Sequence, residues 1–317
     1  MAAGAPRGAA DGATVRRVGR ELARIRRFLA EREVLEVQPP CLGPAAMDPA
    51  LESISVPGAA ADGATAYLQT SPESAMKAML AAGSGDIYYL GPAWRGGECG
   101  RWHAAEFTLL EWYRIGFDHH HLMDEVAALA ALLVGDRPVE RWSYQGAFRH
   151  YAGVDPLADA DDVLRDALAD QGIELHGGVP AGRDETLDLL LSHAVGPALG
   201  HGKLTFLDGF PASQAALARL DDADPRTARR FELFIDGLEI ANGYHELTDA
   251  AAQRERFRAE QAERRGAGQP VHALDERLLT ALEQGVPDCA GVALGVDRLL
   301  ALALGASSLR EVRGADG

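Results

Sequence analysis

Tyr88-Tyr89-Leu90-Gly91-Pro92-Ala93-Trp94-Arg95-Gly96-Gly97-Glu98, followed by Arg101-Trp102-His103-Ala104-Ala105-Glu106-Phe107, is the stretch on which the fold turns. Its first half, residues 86–93, is a short apolar run of strand length, and a loop rich in glycine and charge follows over 95–104. Residues 107–114 read as the strand that returns beside it, with Glu106 at its start. Arg95 stands at the end of the apolar strand, where a charged group needs a partner. A salt bridge is the ordinary explanation of such an arginine.

Two other segments share the oddity. In Gly237-Leu238-Glu239-Ile240-Ala241-Asn242-Gly243-Tyr244-His245-Glu246-Leu247, Glu239 and Glu246 flank what reads as a short Asn-Gly turn. Two solvated acids are the plain alternative. In Gly291-Val292-Ala293-Leu294-Gly295-Val296-Asp297-Arg298-Leu299, a short apolar strand passes through Gly295 into a helix starting near Asp297, with Arg298 at its head. Two arginines and two carboxylates facing one cleft suit a magnesium nucleoside triphosphate. The carboxylates hold the metal, and the guanidiniums neutralise phosphate charge.

Towards the start of the chain, apolar residues at helical spacing (Val15, Val18, Leu22, Ile25, Leu29) predict a helix over 14–32. Its arginines, from Arg16 to Arg27, read as a solvated face. A β-like stretch over 34–37 leads to Pro39-Pro40, and 57–66 is a turn between two strands. Ser71-Pro72-Glu73 opens a helix that stops at Gly83, with Ser71 as a good cap. A helix is expected over 118–134, and the middle, about 141–200, is helical and polar with no site signature. Strands return near 204–207, 231–235 and 238–241, and a polar helix covers 249–265. Hairpin-connected strands with helices in runs favour α+β. Three adjacent histidines, His119 to His121, cannot all face one ion from a helix start, so no metal site is expected there.

Composition limits the partners. The net charge is −16, which repels phosphate backbones and argues against general nucleic-acid binding. No apolar run approaches the roughly 20 residues of a membrane span. Residues 1–14 lack the apolar stretch of a secretory signal, and 1–13 are expected to be a disordered lead. Three scattered cysteines, Cys41, Cys99 and Cys289, point to free thiols in a reducing cytoplasm rather than to disulfides or zinc.

The quoted segments resemble motifs 2 and 3 of the class II aminoacyl-tRNA synthetases, and residues 34–40 resemble motif 1, with Pro40 as its proline. Ser71-Pro72-Glu73 with Met76-Lys77, Glu106-Phe107-Thr108 with Glu111-Trp112-Tyr113, Phe210-Pro211-Ala212-Ser213-Gln214-Ala215 and Ala241 to Asp249 narrow the likeness. They resemble the elongation factor P–(R)-β-lysine ligases, paralogues of the lysyl-tRNA synthetases. The resemblance implies an α+β catalytic domain over 14–317, built on a six-stranded antiparallel sheet flanked by helices. It also implies a homodimer formed through motif 1, and ATP with Mg2+. No room is expected for the anticodon-reading OB fold, so tRNA is an unexpected acceptor. A lysine amine of elongation factor P is the expected one.

By the same resemblance, Arg95, Glu239 and Arg298 are the catalytic residues. Arg95 contacts the α-phosphate, Phe107 stacks on adenine, and Arg298 covers the other adenine face while reaching the γ-phosphate. Glu239 ligates Mg2+ with the Ile240 backbone beside it, and Gly295 lets the nucleotide approach closely. Gly97, Glu98 and His103 complete the ATP-binding set. Glu73 takes one substrate amine, Glu111 and Tyr113 the distal amine, and Glu246 lies between substrate and metal. Ser71, Pro72 and Ala293 complete the substrate-binding set. Two departures stand out. Gly97 occupies the position of the usual motif 2 acid, with Glu98 next to it, and Ala104 replaces an asparagine. Two other readings fit the same residues: a stand-alone amino-acid ligase with another acceptor, and a non-catalytic synthetase paralogue.

Overall fold

The computed structural model describes residues 10–43, 51–60, 63–173, 180, 182–266, 271 and 274–313. In chain order the helices are α1 (Gly12–Ala30), α2 (Glu73–Ala81), α3 (His119–Val134), α4 (Tyr144–Tyr151), α5 (Asp161–Asp170), α6 (Arg183–Leu190), α7 (Ala250–Gly266), α8 (Glu276–Gln284) and α9 (Val296–Leu304). The strands are β1 (Leu35–Glu36), β2 (Leu42–Gly43), β3 (Ser55–Val56), β4 (Ala66–Leu68), β5 (Ile87–Cys99), β6 (Ala104–Ile115), β7 (Val139–Ser143), β8 (Leu204–Pro211), β9 (Thr227–Ile235), β10 (Leu238–His245) and β11 (Cys289–Gly295).

Eight strands form one sheet in the order β1-β5-β6-β11-β10-β9-β8-β7. The six inner strands, β5 to β8 in that order, are antiparallel throughout, while β1 and β7 add to the edges in parallel. The sheet is therefore mixed, wider than the six antiparallel strands expected. β7 was not expected and runs into the start of the stretch read as helical, and α8 is a helix that the apolar pattern did not mark.

Alternation along the long hairpin β5–β6 sorts its side chains to two faces. Leu110 and Trp112 join the core under α1, α3 and α9. Tyr113 turns the other way, to a second core with Met76 and Leu80 of α2 and Leu278, Leu279 and Leu282 of α8. A third cluster packs α4, α5 and α6 on Leu207, Phe210 and Phe234. Ser74 Oγ donates to the Asp275 carboxylate, which also caps the first turn of α8, so α2 and α8 are pinned where they meet.

Several boundaries differ from the sequence reading. Asp11 accepts the Thr14 N–H at 2.7 Å and starts α1 at Gly12, so part of the expected lead is ordered. Residues 1–9 of that lead lie outside the described residues. Strand pairing in β5 runs on to Cys99, and the turn is only 100–103, closed by Gly100 N–H to His103 O. Asn242-Gly243 is not a turn: both lie inside β10, opposite Ala293 and Val292 of β11. Gly243 is needed there because a Cβ would strike the Phe231 ring. No helix among the described residues is long and apolar enough to cross a membrane.

Candidate active site

The first turn of α2 and the strands β5, β6, β10 and β11 enclose a cavity of about 520 Å³, with the head of α9 at one end. Ser71, Glu73, Arg95, Glu98, His103, Phe107, Glu111, Tyr113, Glu239, Ile240, Glu246, Ala293, Gly295 and Arg298 all line it. Pro72 and Gly97 do not. Pro72 is the buried residue that begins α2. Gly97 takes φ +74°, and a Cβ there would meet the Glu52 carboxylate.

One end of the cavity carries the arginines. Arg95 lies over the Phe107 ring, 5.0 Å from its centroid, and reaches Glu98 at 3.7 Å. Arg95 Nε is buried with no hydrogen-bond partner among the described residues. Such a donor is costly unless a ligand supplies an acceptor, and a phosphate oxygen would do so. Arg298 donates to the carbonyls of Glu239 (2.9 Å) and Trp102 (3.0 Å) and meets His103 Nε2 at 2.7 Å. Burial, then the Arg298 charge, lowers the pKa of His103, which favours the neutral ring. A Cβ on Gly295 would meet the Arg298 side chain at 3.8 Å and the Ile240 carbonyl at 3.9 Å, ordinary contact distances, so a side chain there would occupy room on the cavity wall that the glycine leaves to a ligand. These features fit a triphosphate nucleotide.

A bulge decides the position of Glu239. The β9–β10 register shifts between Glu239 and Ala241, which puts Glu239 on the cavity side with Asn242, Tyr244 and Glu246. Strict alternation from Asn242 would have turned it towards the other face. His245 points away and bonds Asp288 at 3.0 Å.

The other end carries carboxylates. Glu111 accepts from Ser71 Oγ at 2.6 Å and from Tyr113 OH at 2.8 Å. Ser71 Oγ also accepts the Glu73 N–H at 3.1 Å, so it supports the start of α2 and orients Glu111 together. Lys77, buried, bridges Glu73 Oε1 (2.6 Å) and Glu246 Oε2 (2.7 Å). Burial, with the Glu73 charge, pushes Glu111 up to about 8. Burial also pushes Glu246 up to about 7, although Lys77 opposes it. Burial alone would lower Lys77, but Glu246 and Glu73 outweigh it and hold it raised. Gly291 is fixed by this cluster, because a Cβ would strike Glu246 Oε1 and the Tyr113 ring.

Three members of the site were not singled out from sequence. Lys77 is one of only two lysines and follows Glu73 by one helical turn, a legible signal. Arg230 also lines the cavity, bonded to Glu232 at 2.7 Å and to Asn242 at 3.3 Å, and no local pattern marks it. Asp297, buried, accepts the Thr108 N–H at 3.0 Å and ties α9 to β6.

Residues 16–314 match the family model "tRNA synthetases class II (D, K and N)". Three similar proteins carry the name elongation factor P–(R)-β-lysine ligase. The one from Photorhabdus laumondii is 48% identical over 92% of this chain and 91% of its own length. That from Vibrio cholerae is 47% identical over the same shares. The Salmonella gallinarum protein is 45% identical, again over 92% and 91%. The chain belongs to the elongation factor P–(R)-β-lysine ligase family of class II synthetases. Its α+β fold is that of a class II synthetase, and ATP is the energy source that this family implies.

Proposed function

We propose that the protein activates (R)-β-lysine with ATP and transfers the β-lysyl group to a lysine side chain of elongation factor P. One observation carries the amino-acid part of this reading. Glu73, Glu111 and Glu246 line one end of the cavity, and among the described residues the cation paired with them there is Lys77, which bridges Glu73 and Glu246. Once all three carboxylates are ionised, one ammonium leaves two negative charges, the complement of the two ammonium groups of a diamino acid.

The substrate carboxylate is already ionised at neutral pH, so no general base is needed for the first step. It attacks the α-phosphorus of ATP, forming the acyl-adenylate and releasing pyrophosphate. The acceptor amine, after losing a proton, then attacks the acyl carbon and AMP leaves. In this reading the chain's own residues position and neutralise. Glu111, oriented by Ser71 and Tyr113, receives the distal ammonium. Glu73 and Glu246 receive the nearer one, sharing Lys77 between them. Arg95 and Arg298 take phosphate charge, and Phe107 offers its ring to adenine. Glu239 would hold Mg2+, which neutralises phosphate charge when bound. Glu246 suits that role less well than expected, since its carboxylate is committed to Lys77. Glu98, 3.7 Å from Arg95 and on the cavity wall, supplies the acid that Gly97 lacks, which favours a working enzyme over a non-catalytic paralogue.

A homodimer belongs to the same reading. Leu35 is 57% exposed on the edge strand β1 and Val15 52% exposed on α1, an apolar edge that a second copy would cover. Free Cys41, Cys99 and Cys289 fit a reducing cytoplasm, and the net charge of −16 disfavours tRNA as acceptor.

ATP–pyrophosphate exchange with a panel of amino acids, with and without purified elongation factor P, tests the proposal. Exchange is expected with β-lysine, more weakly with lysine, and label should transfer only to elongation factor P. No exchange with any diamino acid would overturn the reading, and transfer to a different acceptor would redirect it.

A further inference from the structure

Away from the active site, His119 and His120 in the first turn of α3 face Asp208 of β8 across the rim of a second cavity of about 250 Å³. His119 Nε2 is 3.4 Å from Asp208 Oδ1, and His120 Nδ1 is 3.7 Å from Asp208 Oδ2. Both separations exceed the 2.7–3.2 Å of an ordinary hydrogen bond. The first matches, and the second slightly exceeds, the edge of a tetrahedron whose centre lies about 2.0–2.1 Å from each corner, which is about 3.3–3.4 Å, and the two run to the two oxygens of one carboxylate. One ligand atom from each of the three residues falls within 4.8 Å of the other two. Among the described residues this is the only such group of metal-ligating side chains.

We propose that His119, His120 and Asp208 form a binding site for a divalent transition-metal ion, with zinc the best match. Two imidazoles and one carboxylate are a zinc donor set that leaves a fourth position open, and all three residues line the cavity. The adjacency of the histidines does not prevent convergence. Their ring centroids are 4.0 Å apart, and only His121 turns away, its backbone N–H donating to the Asp118 carboxylate that caps the helix and its ring Nδ1 lying 2.7 Å from the same oxygen. His119 is held in place: it is buried, and its ring stacks on His245 at 6.3 Å. His120, 54% exposed in its side chain, is free to close the last distance. A cation beside a helix N-terminus meets an unfavourable dipole. Asp208 itself and the carboxylates of Asp221 and Asp224 on the same cavity wall offset it. Asp221 and Asp224 are engaged with Arg229 and Arg226, so they set the field and are not counted as ligands. A bound ion would clamp the first turn of α3 to β8.

Equilibrium dialysis of the full chain against Zn2+, without ATP, tests the site, with Co2+ absorption as the geometric readout. One equivalent per chain is expected, with visible Co2+ bands of four-coordinate intensity and a zinc-dependent rise in Tm. His120→Ala and Asp208→Asn should each weaken binding at least tenfold and abolish the rise in Tm. His121→Ala and Glu239→Gln should leave the affinity within about twofold. No stoichiometric metal at 100-fold excess over protein would mean a bare His–Asp pair and overturn the proposal. Unchanged binding in His120→Ala and Asp208→Asn would place the ion elsewhere and overturn it equally.

Discussion

Lys77 Nζ lies 2.7 Å from Glu246 Oε2, and each side chain is only 1% exposed. A buried pair of this kind is costly to break, because the surviving charge has no water to turn to. Lys77→Met is therefore expected to destabilise the protein by about 3–5 kcal/mol at pH 8. At pH 5 the loss should be smaller, since Glu246, held at about 7, is then protonated. Urea unfolding at both pH values checks this, and equal losses would show that charge is not what Lys77 contributes.

In the proposed reaction Glu111 receives the distal amine. Glu111→Gln keeps the shape and the Ser71 contact but removes the charge. It is expected to lower kcat/KM for β-lysine-dependent pyrophosphate exchange by roughly 10²–10³ while leaving the KM for ATP unmoved. A loss under threefold would remove Glu111 from the substrate pocket.

The same carboxylates set a pH dependence. Glu111 is raised to about 8 and Glu246 to about 7, both from 4.5. For an acid raised by burial, the folded state holds the proton longer than the unfolded chain does. Stability is then full below about pH 4.5 and declines as pH rises towards about 8. A dicationic substrate needs the ionised forms, so its affinity should climb with pH and its binding should release protons. About a tenfold gain per pH unit is expected for each acid that must ionise. Calorimetry in buffers of different ionisation enthalpy measures the release, and a flat affinity from pH 5.5 to 8 would contradict the assignment.

Two positions on β11 should separate fit from charge. Gly291→Ala drives a methyl against Glu246 and Tyr113, and the KM for the amino acid is expected to rise about tenfold or more. Ala293 lines the cavity two residues on, and in the proposed reading its methyl would crowd an α-amino group more than a β-amino group. Ala293→Gly should shift preference towards ordinary lysine by about 10-fold, the worth of one methyl. Parallel exchange assays with the two isomers give the ratio, and an unchanged ratio would dismiss Ala293 as the selector.

Glu98→Ala tests whether the acid displaced by one residue serves motif 2. Exchange should fall by about tenfold or more, with Ala104→Asn tightening ATP by up to about tenfold through a regained hydrogen bond. An unaffected Glu98→Ala enzyme would leave Gly97 as a true loss.

Local pattern in the chain is enough for most of the elements and many of the residues that line the site. The β5–β6 hairpin, α2 and α9 follow from apolar period, caps and glycines, which act over a few residues and need no knowledge of the fold. Arg95, Glu239 and Arg298 were legible because charge in apolar elements asks for a partner. Tertiary structure decided what each charge faces. Asn242-Gly243 has the chemistry of a turn, yet it runs straight because β9 and β11 hold it on both sides. The bulge that turns Glu239 into the cavity is a register shift against β9, invisible in β10 alone. Glu73 and Lys77 share a helix, but Glu246 arrives from the far end of β10, so the buried triad exists only once the sheet is closed. The β-like stretch over 34–37 was legible, but its parallel pairing with β5 was not, and the edge strand β7 was missed outright: so few residues carry little pattern, and their pairing energy belongs to the neighbour they join.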